Sequence, residues 1–214
     1  MAEPLSHTAP LKVRVFVDYW NFTLSCKSLD PQFRFDWSNI GPLLAAEAAA
    51  LVSATLPHSY EAVHVYGSYS PHKGVDMKFK HWLTNFLDRQ HGVSVAAVER
   101  KLKRSPPKCP QCHVAVVACE ACGADMRGTE EKGVDTRIVT DMMSLAWSGG
   151  YDVAVLVSAD RDFIPVAEEL QKRGLKGVHG QIAGAGQDLA RHCWAALDIG
   201  ALMPRFAAPA RVGN

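Results

Sequence analysis

The sequence predicts an α/β fold, a mainly parallel central sheet covered by helices, interrupted by one small cysteine-bearing insertion. Valine-rich apolar runs recur at 12–19 (KVRVFVDY), 61–69 (EAVHVYGSY), 93–100 (VSVAAVER) and 151–160 (YDVAVLVSAD). Helix-like stretches separate most of them, the alternation that parallel sheets require. One segment breaks the pattern: 101–131 gathers prolines and four cysteines. The 214 residues suffice for one substantial domain and leave little room for a second.

Taken in order, the run at 12–19 is a strand that closes on Asp18, and 37–55 is an alanine-rich helix opening behind Asp36. Strand 61–69, helix 74–90 and strand 93–100 follow, then the insertion, then helix 133–148 and strand 151–160. Helices at 163–173 and 187–197, with short strands at 176–182 and 202–206, complete the prediction. The main domain is expected over 11–206, the inserted module over 105–128, and loose tails over 1–10 and 207–214.

Composition narrows the function classes. At 48% hydrophobic and 21% charged residues the chain reads as an ordinary globular protein, and Glu47 interrupts the longest alanine-rich run, so no membrane span is expected. The first eleven residues lack the cationic start and apolar core of a secretory signal, so a reducing, cytoplasmic setting is expected for the six cysteines. A net charge of +1 does not by itself call for a polyanionic partner. The oligomeric state is left open.

Carboxylates mark two strand ends. Asp18 closes the first strand; Asp160 closes the fourth, with Asp162 two residues on, where the next helix begins. Asp162 can be only a helix cap. Asp160 is harder to explain that way, because a carboxylate ending a buried strand must be solvated, paired or bound to a cation. In 133–148 the apolar residues Ile138, Val139, Met142, Leu145 and Ala146 form one stripe at about 100° per residue, and Asp135 lies nearly in line with it. Asp141 falls to one side and reads as a solvated flank. Four clustered carboxylates need a counter-charge, and for oxygen ligands that is ordinarily Mg²⁺ or Mn²⁺. Whether one ion or two would bind is open at this stage.

Three stretches together, FVDYWN (16–21), KGVD (132–135) and VSADRDF (157–163), resemble the NYN domain of the PIN-like nuclease superfamily. The resemblance implies a three-layer α/β/α fold and a metal-dependent endoribonuclease acting on RNA. It makes Asp18, Asp135, Asp160 and Asp162 the acidic cluster, with Asn21 a polar neighbour. The chain departs from the family pattern at Ala159, where glycine is frequent, and at Arg161, where residues are small or uncharged. Arg161 can hold a substrate phosphate or neutralise a carboxylate. Tyr19 and Trp20 read either as a packed pair or as a base-stacking platform.

Cys109, Cys112, Cys119 and Cys122 form C-x2-C-x6-C-x2-C, the pattern of four thiolates around a structural Zn²⁺. Such a closed site folds a module and does not catalyse. Cys26 and Cys193 stand alone and are expected to pack. Beside the cysteines, Arg100, Lys101, Lys103, Arg104 and Lys108 form the local basic cluster that the net charge conceals. It is suited to a phosphate backbone and equally to a solvated surface. His72, His81, His91 and His192 are given structural roles. Two further readings stay open: an inactive RNA-binding or protein-interaction module silenced by Arg161, and a small-molecule phosphohydrolase, against which stands the bulky DYWNF where a glycine-rich phosphate loop would lie.

Overall fold

In the computed structural model, residues 9–71 and 74–209 are described. The elements run β1 (Leu11–Asp18), α1 (Tyr19–Leu29), α2 (Trp37–Val52), β2 (His58–Tyr69), α3 (Gly74–Trp82), β3 (Val93–Glu99), β4 (Lys101–Leu102) and β5 (Thr129–Glu130). There follow α4 (Val134–Trp147), β6 (Val153–Val157), α5 (Ile164–Lys172), β7 (Lys176–Gln181), α6 (Gln187–His192), β8 (Ala195–Asp198) and α7 (Ile199–Leu202). Six strands form one parallel sheet in the order β3-β2-β1-β6-β7-β8. Among the described residues no helix is long and apolar enough to cross a membrane.

The period-two alternation of strands divides the apolar residues between two cores. Val13, Val15 and Val17 of β1, with Val153, Val155 and Val157 of β6, face α1 and α2 through Phe22, Cys26, Ile40 and Leu44. Phe16, Ala154 and Leu156 point the other way, toward Ile138 and Met142 of α4 and Val166 and Leu170 of α5. The result is the expected three-layer α/β/α fold. Every residue of β6 is buried, which is why this central strand reads as a continuous apolar run.

Four readings need correction. Helix α1 is absent from the sequence prediction: YWNFTLSCKSL is rich in aromatic, Ser, Thr and Cys residues of modest helix propensity, and the packing of Phe22 and Cys26 with the Asp18 cap supplies what propensity does not. The segment 187–197 is not one helix. It stops at His192, and Trp194 donates its N–H to the Gly177 carbonyl as the chain joins the sheet edge as β8. The expected strand 202–206 is a tight helical turn that buries Met203 and Phe206. The expected tail begins later than residue 207, since Ala207 bridges Phe35 and the Ala208 N–H donates to the Arg34 carbonyl.

The insertion leaves the sheet through the antiparallel pair β4 and β5. Its two cysteine turns are built alike. Cys109 and Cys119 each accept an N–H at the close of the turn, from His113 and Gly123, and both of these residues adopt left-handed backbone, with φ 59° and 71°. Bridges Lys108–Ala115 and Ala118–Asp125 repeat the same spacing around each pair.

Candidate acidic site

Strand order reverses between β1 and β6: β2 and β3 extend one way from β1, and β6, β7 and β8 extend the other. A crevice outside the carboxyl ends of these two strands is where parallel sheets collect ligands. Asp18 ends β1 there, and Ser158, Ala159 and Asp160 follow β6.

The crevice is held by a short polar network. Asp18 caps α1, its Oδ1 accepting the Asn21 N–H at 3.2 Å, and its Oδ2 accepts the Ser158 hydroxyl at 3.4 Å. Asn21 reaches back across the gap, its Oδ1 accepting the Ala159 N–H at 2.9 Å. The Ser158 Oγ accepts the Asp160 N–H at 3.3 Å, and Asp160 Oδ1 accepts the Asp162 N–H at 2.9 Å. The capping role expected of Asp162 thus belongs to Asp160, and Asp162 lies exposed in the first turn. Ala159 donates to Asn21 from ordinary negative-φ backbone, so a glycine is not required there.

Electrostatics join Asp135 to this group. Burial is the main force raising the Asp18 carboxyl from 3.8 to about 6, and the negative charges of Glu131 and Asp135 add to it. Asp135, in the first turn of α4 behind left-handed Gly133, is also pushed up, by burial first and then by Asp160, Glu131 and Asp162. The four predicted aspartates therefore share one neighbourhood. Glu131 is a fifth acid that sequence reasoning missed; its signal was the acidic pair immediately before KGVD. Glu131 accepts hydrogen bonds from the Ser68 hydroxyl and from Arg100 Nη2, the latter at 3.0 Å. Asp141 lies outside the group, accepting from Tyr66 Oη at 3.1 Å and Arg137 Nε at 2.9 Å.

The acids of the group offer carboxylate oxygens, the ligand class that hard divalent cations take, and their mutual repulsion is of the kind a cation relieves. Among the described residues, no three His, Cys, Asp or Glu side chains are gathered closely enough to hold a metal ion. Asp162 is exposed and Asp18 and Asp160 are half-buried, so these acids stand near one another without closing on a common point. The two cysteine pairs are likewise not gathered at one point. Cys109 is lowered by N–H groups of Cys112 and Gln111 aimed at its sulfur, and Cys119 by those of Ala121 and Cys122, an arrangement that favours thiolate. All six cysteines are free of disulfides. Cys26 and Cys193 are pushed up to about 12 by burial.

Arg161 is exposed and forms no ion pair among the described residues. With Ala159 and Asp160 it lines a cleft of about 470 Å³ that continues over Gly186 and Gln187. Of the basic cluster, Arg100 is engaged internally: Nε donates to Ser68 at 2.8 Å, and the guanidinium lies over Trp20, 5.8 Å from the ring centre. Lys101, Lys103 and Arg104 instead line a separate groove of about 630 Å³ with Lys132. Trp20 is packed against Tyr19 and donates its indole N–H to the Ser68 carbonyl at 2.8 Å.

Of the histidines, His81 and His91 are exposed, His192 contacts Glu168 at 2.8 Å, and His72 lies outside the described residues. Two were missed. His64 stacks on Phe16 and accepts from Arg14 at 3.1 Å. Fully buried His179 bonds through Nε2 to the Ser158 carbonyl at 2.7 Å, steadying the loop that bears Asp160. Its signal was a histidine in the middle of a short strand, between Val178 and Gly180.

Comparison with known proteins agrees with this architecture. The NYN domain matches residues 12–198. A crystal structure of a Vibrio parahaemolyticus protein of unknown function superposes with a TM-score of 0.51 at 18% identity, covering 89% of this chain and 93% of that one; it shares the fold. No curated protein matches.

Proposed function

Because the chain belongs to the NYN domain family of the PIN-like nuclease superfamily, we propose that its acidic crevice hydrolyses RNA phosphodiester bonds as a Mg²⁺- or Mn²⁺-dependent endoribonuclease. The observation that supports the proposal is the mutual charge repulsion that links Asp18 to Asp135, and Asp135 to Asp160 and Asp162, from three separate segments near the point where the strand order reverses. Asp18, Asp135 and Asp160 would hold the cation, and Asp162 would orient water at the mouth. When bound, such a cation neutralises charge on the phosphodiester and lowers the pKa of water. Asn21 and Ser158 keep the Asp160 loop in register with Asp18. Arg161, free of carboxylate partners among the described residues, faces an incoming phosphate.

In the same reading Lys101, Lys103 and Arg104 track the RNA backbone, and Cys109, Cys112, Cys119 and Cys122 hold one structural Zn²⁺ that folds the 105–128 module within the 11–206 domain. Free thiols accord with a reducing, cytoplasmic setting. The test is cleavage of single-stranded RNA by purified protein with Mg²⁺ or Mn²⁺, compared with an Asp160→Asn variant and with chelated protein. Activity is expected only with the unsubstituted, metal-loaded protein. Equal cleavage by Asp160→Asn would remove the assignment.

A further inference from the structure

Tyr19, the residue after Asp18, also forms a wall of an open aromatic groove of about 520 Å³, with Phe35, Trp37, Phe79 and Trp82 as the other rings. The Tyr19 ring centre lies 4.7 Å from Phe79 and 5.7 Å from Trp37, and the Phe79 and Trp82 rings stack at 24°. Phe79 and Trp82 are only half-buried, so the groove presents ring surface to solvent. Its volume falls within the roughly 300–1,000 Å³ usual for ligand sites, and its apolar walls with few polar groups fit that class.

The charges at the rim are one-sided. Exposed Arg34 and Lys78 line the groove, and no Asp or Glu does so among the described residues. Flat aromatic walls flanked by cations suit a nucleotide, whose base stacks on a ring and whose phosphate meets a cation. Tyr19 supplies the connection, since it follows Asp18 directly in the chain and opens α1, which Asp18 caps.

We propose that this groove is a subsite for one unpaired nucleobase of single-stranded RNA, with Lys78 and Arg34 holding the flanking phosphates. The inference rests on the ribonuclease reading and names where its substrate is gripped beside the site of cleavage. Stacking is indifferent to base identity, so the subsite selects single-stranded over paired RNA without reading sequence.

The probe is a short single-stranded RNA carrying 4-thiouridine, bound to the full-length Asp160→Asn variant and irradiated, with crosslinked residues identified by mass spectrometry. Crosslinks at Tyr19, Phe79 or Trp82 are expected; their absence from all three overturns the proposal. Trp82→Ala is expected to weaken binding of the same RNA by about tenfold to a hundredfold, and Trp82→Phe to restore most of it. Lys78→Ala, an exposed change that leaves the packing intact, is expected to weaken binding severalfold and to flatten its salt dependence. Unchanged affinity in both Trp82→Ala and Lys78→Ala overturns the proposal. Cleavage is read separately on the unsubstituted protein: an inert protein that still crosslinks at Trp82 keeps the subsite and loses the nuclease assignment.

Discussion

Replacing Asp18 by Asn is expected to stabilise the metal-free fold while abolishing cleavage. Asn caps a helix as well as Asp, and it keeps an oxygen for the Asn21 N–H. What it removes is a charge that burial and the acids Glu131 and Asp135 disfavour. The rise of the Asp18 carboxyl from 3.8 to about 6 corresponds to about 3 kcal/mol at 1.36 kcal/mol per pH unit. Solvent reaches part of the carboxylate, which reduces the expected gain to about 1–2 kcal/mol. The sign follows from linkage. The folded chain holds the Asp18 proton more tightly than the unfolded chain, so the contribution of Asp18 to stability is lost as pH rises from 3.8 to about 6 and is level above that. Asp18→Asn lacks this loss, so the two curves meet near pH 3.8 and separate fully above about pH 6. Urea unfolding in chelator across this range measures the difference. A variant less stable than its parent at pH ~7.5, or a difference independent of pH, would refute the reasoning.

Asn21→Ala removes the acceptor for the Ala159 N–H and is expected to cost about 1–2 kcal/mol in thermal unfolding and to slow cleavage by loosening the Asp160 loop. His64, pushed down to about 4 by burial and Arg14, is neutral in the fold; stability is expected to fall as pH drops from 6.5 toward 4, and His64→Phe to flatten that limb of the denaturation curve. A Cβ at Gly186, where φ is 77°, would meet the His179 ring at 2.8 Å and Ala159 at 3.0 Å, so Gly186→Ala is expected to lower the unfolding midpoint and displace the loop beside Asp160. Chelating zinc, or changing Cys109 to Ser, is expected to expose the insertion to proteolysis while the six-stranded domain stays folded, with elemental analysis giving one zinc per chain.

The fold was legible where the apolar pattern was continuous. The runs closing on Asp18 and Asp160 announced the two central strands and placed acid at their ends, because burial on both faces leaves a carboxylate there unexplained by packing. Elements that owe their form to tertiary contact were less legible. Helix α1 follows β1 without an intervening residue and has little intrinsic helical preference, and β8 exists because Trp194 and its neighbours pair with β7. The positions of Asp18 and Asp160 at strand ends were legible from pattern. Glu131 and His179 were not, since Glu131 reaches the cluster through the return strand of an insertion and His179 acts through a backbone carbonyl. Arg100 looked like part of a basic run, yet its partners Ser68 and Glu131 come from elements remote in sequence.

The central claim is that the acids at the β1 and β6 strand ends form a divalent-cation site. Anomalous diffraction from crystals soaked in Mn²⁺ tests it most directly. The account predicts a manganese peak coordinated by Asp18, Asp135 and Asp160, with those side chains turned inward. Ordered carboxylates with no manganese among them would contradict it.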